Sequence, residues 1–365
     1  MESREETIAV AARALGFAGA GCTRLGPLPH APFMAAWLAE GRAGDMRYLP
    51  RRAAERLDAR RAFPWARALI ALAYPYQPPP RAAGDWRQTL VGRIAAYARG
   101  ADYHDRVLAL CDRLGAELAT RFPHARFLSY VDTGPIVERE WAMRAGLGWI
   151  GKNTLVLDRG AGSYFFLAEL VTDLDLDDTT LPADHCGTCT RCMAACPTGA
   201  LDVAYAMDPR RCLSYLTIEH RGPIPVELRP RLENWIFGCD LCQTACPWNT
   251  GEAEPDAWLS PSLPALLAMD EAAFHERFGR SAVTRAKRRG LLRNVAVALG
   301  NSGNPDAVPA LAGALVDPEP LVRGHAAWAL GRLGGPAARQ ALERARSAET
   351  DASVAGEIAA ARVSA

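Results

Sequence analysis

Eight of the ten cysteines in this 365-residue chain lie between positions 186 and 246, and no other feature limits the possible folds as strongly. The first group reads C-G-T-C-T-R-C-M-A-A-C-P and comprises Cys186, Cys189, Cys192 and Cys196. The second group comprises Cys239, Cys242 and Cys246, and Cys212 stands alone between the two groups. Each group ends in a Cys-Pro pair. Thiolates at these intervals are protein ligands of iron–sulfur clusters.

The spacing also predicts how the cysteines are shared. In the bacterial ferredoxin pattern, three cysteines bind one cluster, and the fourth, before the proline, binds a neighbouring cluster. Ile236 occupies the place of the second group's first cysteine, and Cys212 is the obvious substitute. The predicted ligand sets are therefore Cys186, Cys189, Cys192 and Cys246 for one [4Fe–4S] cluster, and Cys196, Cys212, Cys239 and Cys242 for the other.

Two zinc sites or four disulfides would also use eight cysteines. Zinc sites usually show two C-x2-C pairs and need no additional cysteine before a proline. Cysteines gathered in a ferredoxin-like run indicate a reducing compartment, whereas disulfides belong to oxidising ones. The pattern therefore favours two [4Fe–4S] clusters.

Composition is that of an ordinary globular protein, 49% hydrophobic and 23% charged, and the length allows two or three domains. The net charge is only +1, so any nucleic-acid-binding surface must be local. The chain begins with acidic residues, where a signal peptide needs basic ones. No apolar run approaches the roughly 18 residues that span a bilayer. We therefore expect a cytoplasmic protein with no membrane partner.

Residues 1–180 alternate helix-like and strand-like segments, which predicts an α/β or α+β domain around a central sheet. Helices are predicted at 7–15, 87–99 and 103–121, and strands at 68–74 and 127–131. We also expect a hairpin that joins 154–157 to 164–172 through Gly160-Ala161-Gly162.

The C-terminal tail repeats itself. The pattern A-x-A-L-G-x-x-G stands at 296–303 and returns 31 residues later, at 327–334. Such a period is typical of short HEAT-like helical hairpins, which stack because none buries its apolar face alone. The predicted domains are 1–180, a two-cluster segment at 181–255, and a helical repeat domain at 256–365.

A basic stretch runs from position 277 to 293 and contains seven Lys or Arg residues and no acid. A basic face on stacked helices suits a phosphate backbone; the alternative is a solvated charged helix. The candidate nucleic-acid contacts are Arg280, Arg285, Lys287, Arg288, Arg289 and Arg293.

The glycine-rich stretch Gly146–Asn153 matches G-x-G-x-x-G and nearly matches a P-loop. Both motifs require a strand before them and a helix after them. Here a predicted helix at 137–145 precedes and a strand-like segment at 154–157 follows. We therefore exclude NAD and ATP, and expect the glycines to let the backbone approach another large cofactor.

Asp132 lies at the end of the predicted strand 127–131, in V-D-T-G-P. A partly buried carboxyl group there could act as a general acid, or it could cap the following helix. Glu138, Arg139 and Glu140 follow on that helix and could orient a ligand or pair with each other.

The combination of V-D-T-G-P-I-V-E-R-E at 131–140, A-G-L-G-W-I-G-K-N-T at 145–154, the eight cysteines and the HEAT-like tail resembles the epoxyqueuosine reductase family. The resemblance covers essentially the whole chain. That family is similar to the reductive dehalogenases in pairing a cobalamin domain with two [4Fe–4S] clusters. The implied fold class is a multidomain α+β protein. It joins a nitroreductase-like α/β cobalamin domain, a bacterial ferredoxin-like two-cluster domain and C-terminal α-helical HEAT-like repeats.

The resemblance implies a cytoplasmic, monomeric oxidoreductase that completes queuosine. It would reduce epoxyqueuosine at the wobble position of tRNAs for Asp, Asn, His and Tyr, with loss of water. Electrons would come from an external donor, such as a flavodoxin or ferredoxin system, and pass through the clusters to cobalt. The basic face would hold the anticodon stem-loop.

Asp132 matches the family's proton donor. The residues that the resemblance places at cobalamin are Arg56, Tyr97, Asp132, Gly148, Lys152, Asn153 and Asp240. Asp102-Tyr103-His104 begins like the D-x-H-x-x-G cobalamin motif, but Val107 replaces its glycine. No histidine ligand to cobalt is therefore indicated, and His104 is interpreted as an ordinary residue at a helix start. We expect Cys22 and Cys111 to be buried thiols.

Two other functions fit parts of the pattern. One is a cobalamin and iron–sulfur reductase of a small molecule, for example a halogenated compound, which would have no use for the basic face. The other is a non-enzymatic two-cluster electron carrier with a HEAT scaffold, which would bind no corrinoid.

Overall fold

The computed structural model describes residues 3–80 and 84–364. Within these ranges no helix is both long enough and apolar enough to cross a bilayer. The chain forms two compact units. The sheet unit comprises Met1–Pro78, Asp102–Asp208 and Leu241–Gly251, and the repeat unit comprises Pro79–Ala101, Pro209–Asp240 and Glu252–Ala365. Each unit is made of three separate segments of the chain, so the units do not correspond to the predicted domains. The predicted domain boundaries at 180 and 255 are not tested by this division and stay a prediction.

The strands are, in chain order, β1 (Gly19–Arg24), β2 (Ala68–Pro75), β3 (Arg93–Ile94), β4 (Phe127–Tyr130), β5 (Trp149–Ile150), β6 (Val156–Leu157), β7 (Phe165–Thr172) and β8 (Trp235–Phe237). The helices are α1 (Arg4–Ala14), α2 (Ala31–Ala39), α3 (Tyr48–Arg51), α4 (Ala53–Leu57), α5 (Trp86–Thr89), α6 (Tyr103–Arg121), α7 (Glu138–Arg144), α8 (Arg191–Ala194), α9 (Leu213–Ile218), α10 (Leu241–Thr244), α11 (Leu263–Leu267), α12 (Glu271–Phe278), α13 (Lys287–Ser302), α14 (Val308–Ala314), α15 (Pro320–Leu333), α16 (Gly335–Ala348) and α17 (Ala352–Ser364).

The sheet unit is built on four antiparallel strands in the order β1-β2-β7-β4. The two central strands are almost wholly buried, which explains why their sequences are continuous apolar runs rather than alternating ones. One residue breaks this pattern. Glu169 lies in the middle of β7, opposite Ala71 of β2 and Tyr130 of β4.

Helix α6 packs one face on this sheet through Val107, Cys111, Leu114 and Leu118, which recur at helical spacing. The helix begins where Asp102 caps it, because the Asp102 carboxylate accepts a hydrogen bond from the His104 backbone N–H at 3.0 Å. The cap fixes the start of α6.

The predicted helices at 7–15 and 103–121 and the strands at 68–74 and 127–131 are confirmed within a few residues. The predicted hairpin is wrong. Val156–Leu157 pairs with Trp149–Ile150, whereas Phe165–Thr172 pairs with β2 and β4. An apolar strand buried on both faces needs two long neighbours, and the short segment at 154–157 could not cover it.

The predicted helix at 87–99 is also wrong. Only Trp86–Thr89 is α-helical, Ala96–Ala98 forms a single 3₁₀ turn, and Leu90 ends the first segment with a left-handed backbone at φ 50°. After it, the backbone N–H groups of Gly92 and Arg93 donate to Pro261 and Asn234. Pairing with distant segments therefore overrides the local helical pattern.

In the repeat unit, the 31-residue period places α13, α15 and α17 side by side. The repeated glycines explain the spacing. A Cβ on Gly300 would lie 2.8 Å from the Ala329 Cα, and one on Gly331 would lie 2.7 Å from the Ala361 Cα. Each glycine thus lets its helix approach the next repeat closely, and the prediction of stacked helical hairpins is confirmed.

Candidate active site

The sheet unit holds a cavity of about 50 Å³ whose wall includes Cys186, Cys189, Cys192 and Cys246. These are the four cysteines that the spacing assigns to one cluster, and none of them is in a disulfide. A turn closed by the Cys189 N–H and the Cys186 carbonyl at 3.0 Å brings the first two together, and Cys192 follows on α8. Cys246 comes just after α10. Four thiols around such a cavity fit a [4Fe–4S] cluster.

The rest of the cavity wall combines the apolar Leu157, Pro247 and Trp248 with Lys152, Asn153 and His185, and further apolar residues pack behind it. Trp149, Leu157 and Cys246 form a buried cluster, and Cys186 and Trp248 pack against it. The rings of Trp149 and Trp248 meet edge to face at 5.3 Å. Solvent exposure and hydrogen bonding set the reduction potential of an iron–sulfur cluster, so this packing would influence the potential of a cluster held by the four cysteines.

Lys152 and Asn153 lie against the cysteine loops. The Lys152 ammonium donates to the carbonyls of Gly187 at 2.6 Å and Cys189 at 3.0 Å, and the Asn153 amide donates to the Cys242 carbonyl at 3.4 Å. Gly148 is needed locally, since a Cβ there would lie 2.2 Å from the Leu157 carbonyl oxygen. These contacts give the glycine-rich stretch a role beside the cysteines, and contact of Gly148, Lys152 and Asn153 with a corrin stays a prediction.

The other four cysteines divide between the two units. Cys196 and Cys242 belong to the sheet unit, and Cys212 and Cys239 belong to the repeat unit. Cys212 immediately precedes α9, and Cys239 follows β8, in which Ile236 is fully buried. Ile236 is therefore a core residue of the repeat unit. The second ligand set remains a prediction from spacing.

Asp132 lies in a short loop after β4, and its side chain is 42% exposed. The Tyr103 hydroxyl donates to one carboxylate oxygen, and the His104 ring nitrogen Nε2 lies 3.3 Å from the same atom. Asp132 also adopts a left-handed backbone at φ 55°, which is uncommon outside glycine. The loop is held in this conformation because the Asp132 backbone N–H donates to the Glu138 carboxylate at 2.5 Å.

Two further carboxyl groups stand near Asp132. Burial raises the pKa of Glu138 well above its ordinary value, and the carboxyls of Glu169 and Asp132 raise it further. Burial likewise raises the pKa of Glu169, with a smaller contribution from Asp132. Glu169 is fully buried, and neither of its carboxyl oxygens has a hydrogen-bond partner among the described residues. Both shifts favour the protonated form of the carboxyl group.

On helix α7, Glu138, Arg139 and Glu140 do not pair with each other, although the sequence allows it. Glu140 lies 2.7 Å from the His30 ring nitrogen, and Arg139 donates to the Thr154 carbonyl at 2.6 Å. Each of these side chains thus has a separate partner, whereas Glu138 contacts the Asp132 loop.

Two observations bear on the cobalamin expectation. Both ring nitrogens of His104 are engaged, Nδ1 with Asp102 at 2.7 Å and Nε2 with Asp132, so His104 is not available as a cobalt ligand. Arg56 is buried on α4; its Nη1 donates to the Ile136 carbonyl at 3.1 Å, while its Nε has no partner in the described part of the chain. A buried, incompletely bonded guanidinium fits the amide and phosphate groups of cobalamin. The residues present therefore fit this cofactor.

The other predicted cobalamin contacts belong to the repeat unit. Tyr97 packs near the Phe237 ring, with the ring centroids 6.1 Å apart. Asp240 is buried and accepts a hydrogen bond from the Ala96 backbone N–H at 2.8 Å. Burial raises the pKa of Asp240 to about 7. Their contact with cobalamin stays a prediction.

The basic stretch is only partly a surface. Arg293 is fully buried and donates to the carbonyls of Leu216, His220 and Gly222, so its assignment to nucleic-acid binding is wrong. Arg288 is also buried, and Asp317 accepts two hydrogen bonds from its guanidinium, so it too is a structural residue. Arginines that satisfy buried carbonyls and carboxylates look the same in sequence as arginines that bind phosphate.

The remaining basic residues are more accessible. Arg280 and Lys287 are exposed, Arg289 is half-buried, and Arg285 is exposed while pairing with Glu219 at 2.8 Å. Cys22 and Cys111 are buried as expected, and burial raises the pKa of each thiol to about 12.

The fold and the cysteine cavity define an iron–sulfur oxidoreductase with a helical repeat tail. Family models match in three places: epoxyqueuosine reductase QueG, DUF1730, over residues 56–133; a 4Fe-4S double cluster binding domain over 185–249; and HEAT repeats over 281–361. The epoxyqueuosine reductase of Xanthomonas campestris pv. campestris is 39% identical over 88% of this chain and 94% of its own.

Solved structures similar to this chain belong to the same family. An epoxyqueuosine reductase in complex with an epoxyqueuosine-modified tRNA-Tyr stem loop superposes with a TM-score of 0.91, 31% identity and 98% coverage of both chains. The Bacillus subtilis epoxyqueuosine reductase was solved with its catalytic aspartate loop swung out of the active site. It superposes with a TM-score of 0.90, 30% identity and 98% coverage of both chains. The chain belongs to the epoxyqueuosine reductase family. Its cofactors are two [4Fe–4S] clusters, which the double-cluster match covers, and the cobalamin of that family.

The sequence alone assigns no site role to Tyr103, His104 or Glu169, three residues around Asp132. Tyr103 and His104 touch its carboxylate, although the sequence presents His104 only as a residue at a helix start. Glu169 does carry a signal, since it is the one charged residue in the otherwise apolar run F-F-L-A-E-L-V. The signal for Tyr103 and His104 is weaker, because only the tertiary fold brings the start of α6 to the end of β4.

Proposed function

We propose that this chain reduces epoxyqueuosine to queuosine at the wobble position of tRNAs for Asp, Asn, His and Tyr, the last step of queuosine biosynthesis. Membership in the family and the relative solved with a modified tRNA-Tyr stem loop support the proposal. The observation that carries it is the Asp132 carboxyl, held by Tyr103, His104 and the Glu138 contact on an exposed loop of the unit that also holds the four-cysteine cavity.

The reaction converts an epoxide into an alkene and water. It consumes two electrons and two protons, and both protons end on the departing oxygen. The electrons enter from an external donor, such as a flavodoxin or ferredoxin system, and pass through the two clusters one at a time. Cobalamin, when bound, supplies a low-valent cobalt for chemistry at the epoxide carbon.

Asp132 acts as the general acid that protonates the epoxide oxygen as its C–O bond breaks. A proton donor must present its carboxyl within hydrogen-bond reach of the leaving atom. The Tyr103 hydroxyl and His104 ring orient that carboxyl, and the Glu138 contact fixes the loop. In the Bacillus subtilis protein the corresponding loop has been seen swung out of the active site, and we infer that the same loop moves here when substrate enters or leaves.

Arg56, whose buried Nε has no partner among the described residues, is the best-supported contact for the polar periphery of cobalamin. We retain Tyr97, Asp132, Gly148, Lys152, Asn153 and Asp240 as further contacts. We propose that His104, at the start of α6, does not bind cobalt, because its two ring nitrogens contact Asp102 and Asp132.

For the tRNA, the exposed residues Arg280 and Lys287, with Arg285 and Arg289 beside them, form the phosphate-binding face. Cations placed along a helical stack attract a phosphate backbone without reading its sequence. The anticodon stem-loop is the proposed partner, and we further propose that the enzyme works as a monomer in the cytoplasm.

Nucleoside mass spectrometry of tRNA from cells that lack the protein tests the function. We expect epoxyqueuosine to accumulate, and a plasmid with the wild-type chain to restore queuosine. A plasmid with Asp132→Asn should not restore it. Normal queuosine in the deletion strain would disprove the tRNA function and favour a small-molecule reductase.

A further inference from the structure

Loss of the epoxide oxygen as water requires two protons on one atom, whereas Asp132 carries only one proton at a time. The second proton must reach the same oxygen after the first has left Asp132. This requirement rests on the proposed function and directs attention to groups that could recharge Asp132 before the product leaves.

Glu138 is in direct contact with the Asp132 loop. Its Oε1 accepts the Asp132 backbone N–H at 2.5 Å, and a hydrogen bond also links the two side chains. Contact between two carboxyl groups favours the protonated form of the more buried one, here Glu138, because two carboxylates would repel each other. Glu138 is therefore already in position to pass a proton to Asp132.

Glu169 lies beneath this pair. It is fully buried at the centre of the sheet, and both of its carboxyl oxygens lack a hydrogen-bond partner among the described residues. A carboxylate with no donor and no cation is strongly disfavoured in a protein interior, so this group holds a proton.

The groups around these carboxyls are mostly neutral or acidic. Glu169 faces Ala71 and Tyr130 in its own sheet, the Cys111 thiol from α6 and Glu138 from α7. Arg56 interacts electrostatically with Glu138 and keeps its charge while it donates to the Ile136 carbonyl, but burial and the neighbouring carboxyls outweigh it in the pKa of Glu138. Around Asp132 stand Tyr103 and His104.

We propose that Glu138 stores the second proton of the reaction and delivers it to Asp132, while the buried Glu169 stays protonated throughout the cycle. Asp132 gives its proton to the epoxide oxygen as the first C–O bond breaks. Glu138 then returns a proton to Asp132, which protonates the resulting hydroxyl oxygen as the second C–O bond breaks and water leaves. Asp132 and Glu138 each recover one proton from solvent between turnovers, and the two electrons are those of the reductase reaction.

The kinetic test uses the holoenzyme and an epoxyqueuosine-modified tRNA stem loop. Glu138→Gln should lower kcat by roughly 10²-fold with little change in KM, the scale typical of a lost proton-transfer group. Glu138→Asp should recover part of this loss. Glu169→Gln replaces a protonated carboxyl by a neutral amide of similar shape, so kcat and its pH profile should stay close to those of the wild type. Glu140→Gln is the matched control on the same helix, because Glu140 pairs with His30, and its pH profile should match that of the wild type.

A measurement without substrate separates this proposal from the function itself. Infrared spectra of the resting protein at pH 7.5 should show a protonated-carboxyl band that weakens in Glu138→Gln and in Glu169→Gln, but not in Glu140→Gln. A wild-type protein without that band, or one whose band survives both substitutions, would overturn the proton store whatever the enzyme acts on. Unchanged kcat in Glu138→Gln beside an active wild type would also overturn it and leave the reductase function intact.

Discussion

The cysteine cavity and the Asp132 carboxyl group belong to the same unit but are built in different ways. Three of the cavity's cysteines come from a single stretch of seven residues, 186 to 192, and the chain's short turns place them. The carboxyl group draws on α6, the loop after β4, α7 and the middle of β7. A metal site can thus be encoded by local spacing, whereas a proton-transfer site here depends on the whole sheet. Damage to the two regions should therefore have different consequences.

Loss of a cavity cysteine should have the largest effect. Cys246→Ser removes one ligand from the set with Cys186, Cys189 and Cys192, so we expect iron to fall from about eight to about four atoms per chain and activity to vanish. Iron analysis and the visible spectrum after anaerobic purification measure this. Cys22→Ser, a buried thiol of β1, is the control and should keep its iron. Full iron in Cys246→Ser would remove that residue from the ligand set.

Asp132→Asn should stop turnover while leaving the cofactors in place. The amide keeps the shape of the carboxyl but cannot donate an acidic proton, so kcat should fall by roughly 10²–10⁴-fold. Iron and cobalamin content should equal that of the wild type. If turnover is retained, Asp132 is not the general acid; if iron is lost, the two regions are less independent than the structure indicates.

Charge reversal on the repeats should weaken tRNA binding moderately. Arg280→Glu with Lys287→Glu should raise KM for the tRNA stem loop about 10-fold, leave kcat nearly unchanged and make binding less sensitive to salt. The matched control is Arg339→Glu with Arg344→Glu, on exposed positions of α16. Equal effects from both pairs would mean that only net charge matters.

The smallest effect concerns stability. Burial raises the pKa of Glu169 above its ordinary value of 4.5, so the folded protein keeps a proton that the unfolded chain loses as pH rises. The contribution of Glu169 to stability therefore falls with increasing pH from about 4.5 up to the raised pKa, and Glu169→Gln escapes this loss. Its advantage should grow by up to about 1.4 kcal/mol per pH unit. Thermal midpoints of both proteins at pH 5, 6 and 7 check this, and a pH-independent difference would contradict it.

The same contrast explains what the sequence could reveal. The set Cys186, Cys189, Cys192 and Cys246, the strand at 68–74 and the 31-residue repeat are visible because each depends on spacing or periodicity. Asp132 is visible through a strand end and a family motif. The roles of Glu169 and His104 cannot be predicted from the sequence, because only the folded structure brings β7 and α6 close to Asp132. Arg293 cannot be assigned from composition, because burial decides what an arginine does.

The burial of Arg293 also limits where the chain can be truncated without loss of stability. Arg293 and its neighbour Asn294 together donate to five backbone carbonyls, those of Leu216, Thr217, His220, Gly222 and Ile236. All five lie between Cys212 and Cys239. A chain truncated near residue 255 would deprive these acceptors of their donors, at a cost of about 1–3 kcal/mol for each that stays buried. The cysteine-bearing segment is therefore not a portable electron-transfer module, and engineering it as one would require carrying α13 along.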